Sequence, residues 1–135
     1  MERTRLYWLL IVGFALILLA GFFLLLLKGD EDTWIKDEKG VWIEHGNTNI
    51  KPDYVNEQSN AIACAKKLYE DAKTNGMEFN SQCLGKCTDY SVDVVNVPRN
   101  TDDDKPENQC PDYKNKITKY FIELDKNGEI MRVVE

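Results

Sequence analysis

"YVNEQSNAIACAKKLYEDAKTN", residues 54–75, decides the fold. Val55, Ala61, Ile62, Ala65, Leu68, Tyr69 and Ala72 share one helical stripe, and Lys67, Glu70 and Asp71 fall opposite. Asp53 is placed to cap the helix and Gly76 to end it. The alanines in the stripe let the helix lie close against a sheet, so the stripe reads as core rather than as a ligand box.

Strands flank this helix on both sides. Upstream, "TWIKDEKGVWIEH" (33–45) reads as a hairpin turning at "EKG", with Ile35 opposite Ile43 and Lys36 opposite Trp42. One face holds Ile35, Val41 and Ile43, and is expected to meet the core. The other holds Trp34, Lys36, Trp42 and Glu44, and an open tryptophan face at Trp34 and Trp42 is the candidate interface. Downstream, "MEF" is a short extended segment and "DYSVDVVNVP" alternates as a strand. "RNTDDDKPENQCPDYKNK" is a long polar loop, and "ITKYFIELDKNGEIMRVVE" gives two strands around "KNG". The expected domain is α+β: one helix packed on an antiparallel sheet.

The N-terminus has a different character. Leu6–Leu27, "LYWLLIVGFALILLAGFFLLLL", has neither charge nor proline. As a helix it rises about 33 Å, enough to cross a hydrocarbon layer of roughly 30 Å. The run is too long for a cleaved signal peptide, and Leu18 spoils the small-x-small site ending at Ala20. It reads as a retained signal anchor. Arg3 and Arg5 precede it and "KGDED" follows, which puts the N-terminus inside and the rest outside the cell membrane. The expected organisation is a cytoplasmic N-terminus (1–5), a transmembrane helix (6–27), a linker (28–32) and an extracytoplasmic domain (33–135). From residue 29 onward, 14 Lys and Arg face 22 Asp and Glu, a net charge of −8. Nucleic acid, which needs a basic surface, is excluded as a partner.

All four cysteines, Cys64, Cys83, Cys87 and Cys110, lie in the outer part. An even count in a small extracytoplasmic domain favours two disulfides. Zinc would want a second close pair, and a redox pair would have two residues between its cysteines rather than three. Three pairings are open. Chain reach lets Cys83 or Cys87 return beside Cys64, and the expectation leans to Cys64–Cys83 with Cys87–Cys110.

Other constellations carry less. "ELDKNGEI" overlaps a calcium loop at Asp125, Asn127 and Gly128, but the bidentate twelfth position falls on Val134, so the Asn-Gly turn explains it. Asp102–Asp104 with Glu107 reads as a solvated loop. His45, the only histidine, supports no metal site or triad by itself. No cofactor, metal or catalytic motif is expected, and the chain is not expected to be an enzyme.

Two resemblances accompany these readings. "TWIKDEKGVWIEHGN" resembles a stretch that follows the membrane anchor in small uncharacterised proteins of archaea and candidate-phylum bacteria, which brings no activity with it. The alanine-rich helix, "YSVDVV" and "KYFIELDKNGEIMRVV" resemble the helix-on-antiparallel-sheet order of PepSY and cystatin-like domains. That resemblance implies an inhibitory or interaction module, although the cysteines and the tryptophan hairpin depart from the PepSY pattern. The functional expectation is a membrane-tethered extracytoplasmic interaction or structural domain, held by the bilayer through its helix and free to meet a protein partner outside. The alternative is a tethered inhibitor or regulator of an extracytoplasmic enzyme.

Overall fold

The computed structural model describes residues 2–26 and 33–135. Helix α1 covers Glu2–Leu26. Its described large apolar side chains, from Tyr7 and Trp8 to Phe22 and Phe23, are all exposed. Among the described residues no helix is long and apolar enough to cross a membrane. The fold therefore does not establish the anchor read at Leu6–Leu27. Leu27 and the linker 28–32 lie outside the described residues.

From Thr33 the chain forms β1 (Thr33–Lys36), β2 (Trp42–His45), α2 (Asp53–Thr74), β3 (Gln82–Cys87), β4 (Tyr90–Val94), α3 (Pro111–Lys114), β5 (Tyr120–Leu124) and β6 (Ile130–Val134). β1 and β2 pair as a separate hairpin in the expected register, Ile35 opposite Ile43 and Lys36 opposite Trp42. The main sheet has the order β3-β4-β5-β6. The domain is α+β as expected, but its sheet is mixed rather than antiparallel, because β4 and β5 run parallel. A parallel pair needs a connection of about a dozen residues or more. The segment 95–119, of which residues 99–116 read from sequence as a polar loop, supplies that crossover.

α2 begins at Asp53, but Pro52 occupies the N-cap and makes no side-chain cap bond. The expected Asp53 cap is thus corrected: proline fixes the entry, and Asp53 sits in the first turn, where a negative charge suits the helix dipole. The helix ends as expected at Gly76, which takes φ +79°. The Gly76 N–H donates to the Lys73 carbonyl and the Met77 N–H to the Ala72 carbonyl, a Schellman closure.

Ala61, Ala65 and Tyr69 of α2 pack on Val92, Ile122, Leu124 and Val133 of the sheet. The Tyr69 hydroxyl donates to the Lys126 carbonyl at 2.8 Å. Gly128 lies so close to the Tyr69 ring that a Cβ there would come within 2.6 Å of it. Helix and β5–β6 turn are locked together at that point. The crossover covers the opposite face of the sheet, which buries Ser91 against Thr118 with their hydroxyl oxygens 2.6 Å apart.

Candidate functional site

The cysteines form two bridges, Cys64–Cys87 and Cys83–Cys110. Disulfides were expected, but not in this pairing. A regular strand points residues four apart to the same face. Here a bulge intervenes: Cys83 pairs with Asp93, Gly85 pairs with Val92, and Leu84 is the extra residue. Gly85 accommodates it with φ +138°. The bulge reverses the alternation. Cys87 faces α2 and is stapled to it, whereas Cys83 faces the crossover and is stapled to Cys110. With no free cysteine, the domain has the covalent signature of an oxidising compartment.

The second staple closes one wall of a cavity of about 180 Å3 between the sheet and the crossover, lined among others by Asp93, Arg99, Tyr113, Phe121 and Glu123. The parallel register sets Asp93 beside Glu123. Glu123 is saturated: Arg99 donates Nη1 to Oε1 at 2.8 Å, and Arg132 donates Nε to Oε2 at 3.0 Å and Nη2 to Oε1 at 2.8 Å. Among the described residues Asp93 has no such cation, and its buried Oδ1 finds no hydrogen-bond partner. Burial first, then the neighbouring Glu123 charge, pushes the Asp93 carboxyl up to about 7.

Asp103 serves the crossover itself. Burial pushes its carboxyl up, but bonds from the Asn96 and Asn100 backbone N–H groups, both 2.8 Å, outweigh that and hold it below the usual carboxylate range. Asp102 pairs with Lys105 and Asp104 with Arg99. The acidic triplet thus spends its charge on fastening the loop, and no metal-holding cluster occurs among the described residues. Chemically, the cleft contains a group that exchanges a proton near neutrality, beside a fixed ion cluster.

Sequence reasoning missed Asp93, Glu123 and Arg99. A signal existed: "YSVDV" (90–94) and "YFIEL" (120–124) are alike at every position but the second, where Ser91 stands against Phe121; they pair one to one in the sheet, each with a carboxylate fourth.

Trp34 and Trp42, the candidate interface, share a hairpin face that turns inward. The Trp42 ring packs on Tyr54 at 4.8 Å, and its backbone N–H donates to Gln58 Oε1 at 2.8 Å. The Trp34 ring N–H donates to the Ile50 carbonyl at 3.1 Å. Of the face assigned to the core, Val41 does pack against the core cluster, but the expectation is corrected for Ile35 and Ile43, which are 39% and 42% exposed. The larger indoles cover more of α2 and its approach than the isoleucines could.

Gln58, another residue outside the sequence reading, is buried and binds three groups. Besides accepting from Trp42, its Nε2 donates to the Gly40 carbonyl at 2.9 Å and to Glu135 Oε1 at 3.1 Å. Glu135 also pairs with Lys36 at 2.8 Å and accepts from the Trp42 ring and the Tyr90 hydroxyl. Burial pushes the Glu135 carboxyl up, and Lys36 and Tyr90 more than offset this, keeping it below the usual range. At the hairpin tip, the Val133 N–H donates to the Lys39 carbonyl at 2.7 Å, which fastens the turn to β6.

Against known proteins, no family model matches this chain, and no curated protein or solved structure shows significant similarity to it.

Proposed function

We propose that this chain is a single-pass membrane protein whose N-terminal helix, Leu6–Leu27, tethers an extracytoplasmic interaction or structural domain, residues 33–135. The observation that carries the reading is the surface of α1, whose described large apolar side chains are exposed. Such a helix gains stability by entering an apolar phase. The two disulfides support an address outside the cytoplasm. Arg3 and Arg5 before the span support an inside N-terminus. The partners are then the bilayer and a protein outside it, and the acidic domain disfavours nucleic acid. We assign no enzymatic role, since the cleft pairs no nucleophile with a base among the described residues.

The second reading, a tethered inhibitor or regulator, rests on the PepSY-like β5–β6 hairpin and the helix over the sheet. The parallel β4–β5 pair departs from the antiparallel order of that family and favours the first reading. Protease added to intact cells or spheroplasts tests the tether. The outer domain is expected to be shed, and a protected domain, or a mature N-terminus at Gly21, overturns it.

A further inference from the structure

The hairpin is docked at its tip, while towards its base the Trp34 ring N–H ties it to the connection at Ile50. Its tip is fastened to β6 through Lys39 and to α2 through Gln58. Its base, where Thr33 pairs with His45, is the end at which the chain arrives from the helix. The face turned away from α2 carries Thr33, Ile35, Ile43 and His45, with Ile35 and Ile43 directly opposite each other. Ile50, in the connection that receives the Trp34 ring N–H, is 78% exposed. On a domain of net charge −5 (14 Lys and Arg against 19 Asp and Glu in 33–135) this hairpin face bears no carboxylate. Glu44 lies on the other face, where it accepts from the backbone N–H and hydroxyl of Thr48.

Chain length says what lies near this surface. Only residues 27–32 separate Leu26 from Thr33. Fully extended, that connection reaches about 25 Å. If α1 spans the bilayer, the hairpin base is confined to that distance from the membrane–water boundary. A short tether of this kind raises effective concentration to about the millimolar range, so a contact too weak to form between free molecules is populated.

We infer that the base of the β1–β2 hairpin, through Ile35, Ile43 and Ile50, rests in the interfacial layer of the same membrane that holds the tether. The domain is then oriented as well as tethered, with the crossover cleft carried at a fixed height above the bilayer. This inference rests on the tether reading of the preceding subsection. The contact is with the zwitterionic headgroup and upper acyl region, since the acidic domain is repelled by an anionic surface.

The experiment uses the full chain in phosphatidylcholine nanodiscs, with and without a doxyl-labelled lipid, and reads the isoleucine methyl signals. The doxyl lipid is expected to broaden Ile35, Ile43 and Ile50 several-fold more than the core residue Ile122 and the partly buried α2 residue Ile62. Ile43→Ser with Ile50→Ser should then reduce the broadening at Ile35 while the Ile122 shift stays put. If Ile17 in α1 is broadened and the hairpin methyls are not, the tether stands and the inference fails. If Ile17 is not broadened either, the tether itself is wrong. Hairpin shifts that depend on two chains sharing a disc, and not on the doxyl lipid, put a second copy on this face and overturn the lipid contact. Shifts that appear only when envelope proteins are added do the same in favour of a protein partner.

Discussion

Replacing Gln58 by leucine tests how the hairpin is fastened. Leucine nearly preserves the buried volume but deletes the amide that accepts from the Trp42 N–H and donates to the Gly40 carbonyl and Glu135. A buried backbone group left unsatisfied costs about 1–3 kcal/mol, and two are orphaned here. Better burial of the leucine returns about 1 kcal/mol. The expected net loss is about 2–4 kcal/mol, or roughly 10–25 °C in Tm for a domain of this size. Urea unfolding of the oxidised full chain in detergent, followed by tryptophan fluorescence, measures the global part. Hydrogen exchange measures the local part. If undocking is cheaper than strain, the Trp42 and Val133 amides lose protection together, because Val133 is bonded to the Lys39 carbonyl at the hairpin tip. Asn60→Ala, on the exposed side of α2, is the control, and should stay within about 0.5 kcal/mol. If Gln58→Leu also stays within that margin, with both amides still protected, Gln58 is not the clamp and the docking account is wrong.

Three further outcomes follow from the sites described. Asp93 has its carboxyl raised to about 7, so its contribution to stability is full below its ordinary value of 3.8 and is lost as pH rises through 7. Asp93→Asn should therefore match the parent at pH 4 and exceed it at pH 8 by about 1–2 kcal/mol, the larger unscreened effect being discounted for partial solvent access; equal stability at both pH values refutes the raised carboxyl. Gly40 takes φ +80°, and a Cβ there would sit 2.2 Å from the Val133 carbonyl oxygen, so Gly40→Ala should cost at least about 2 kcal/mol or release the hairpin tip, readable as exchange at Val133. Mass spectrometry of non-reduced peptides should find Cys64 joined to Cys87 and Cys83 to Cys110, and removing the second bridge by Cys83→Ala with Cys110→Ala should cost about 3 kcal/mol in urea unfolding.

The sequence by itself determined the local elements. A 3.6-residue period with alanines at the contact makes α2 whatever surrounds it, and Gly76 ends it because glycine adopts a left-handed conformation freely. The β1–β2 register was legible because turn length and period-two alternation are short-range properties. Oxidation of four cysteines in a small domain follows from their number and setting. Four outcomes depended on long-range contacts, which periodicity does not encode. The parallel β4–β5 pair required the 95–119 segment to cross over, and nothing local separates a crossover from a loop. β3 has no alternation to announce it, since the bulge at Leu84 breaks the pattern; the same bulge sends Cys83 and Cys87 to opposite faces and sets the disulfide pairing. The inward turn of Trp34 and Trp42 is held by a buried glutamine, Gln58, which sits on the same helical stripe as Val55, Ala61 and Ala65 but is polar and so was not counted with it. Asp93 is an ordinary outward carboxylate in the sequence; it is lifted toward neutrality first because the crossover buries it, and then because the parallel register sets it beside Glu123, which takes the hydrogen bonds of Arg132 and the Nη1 of Arg99.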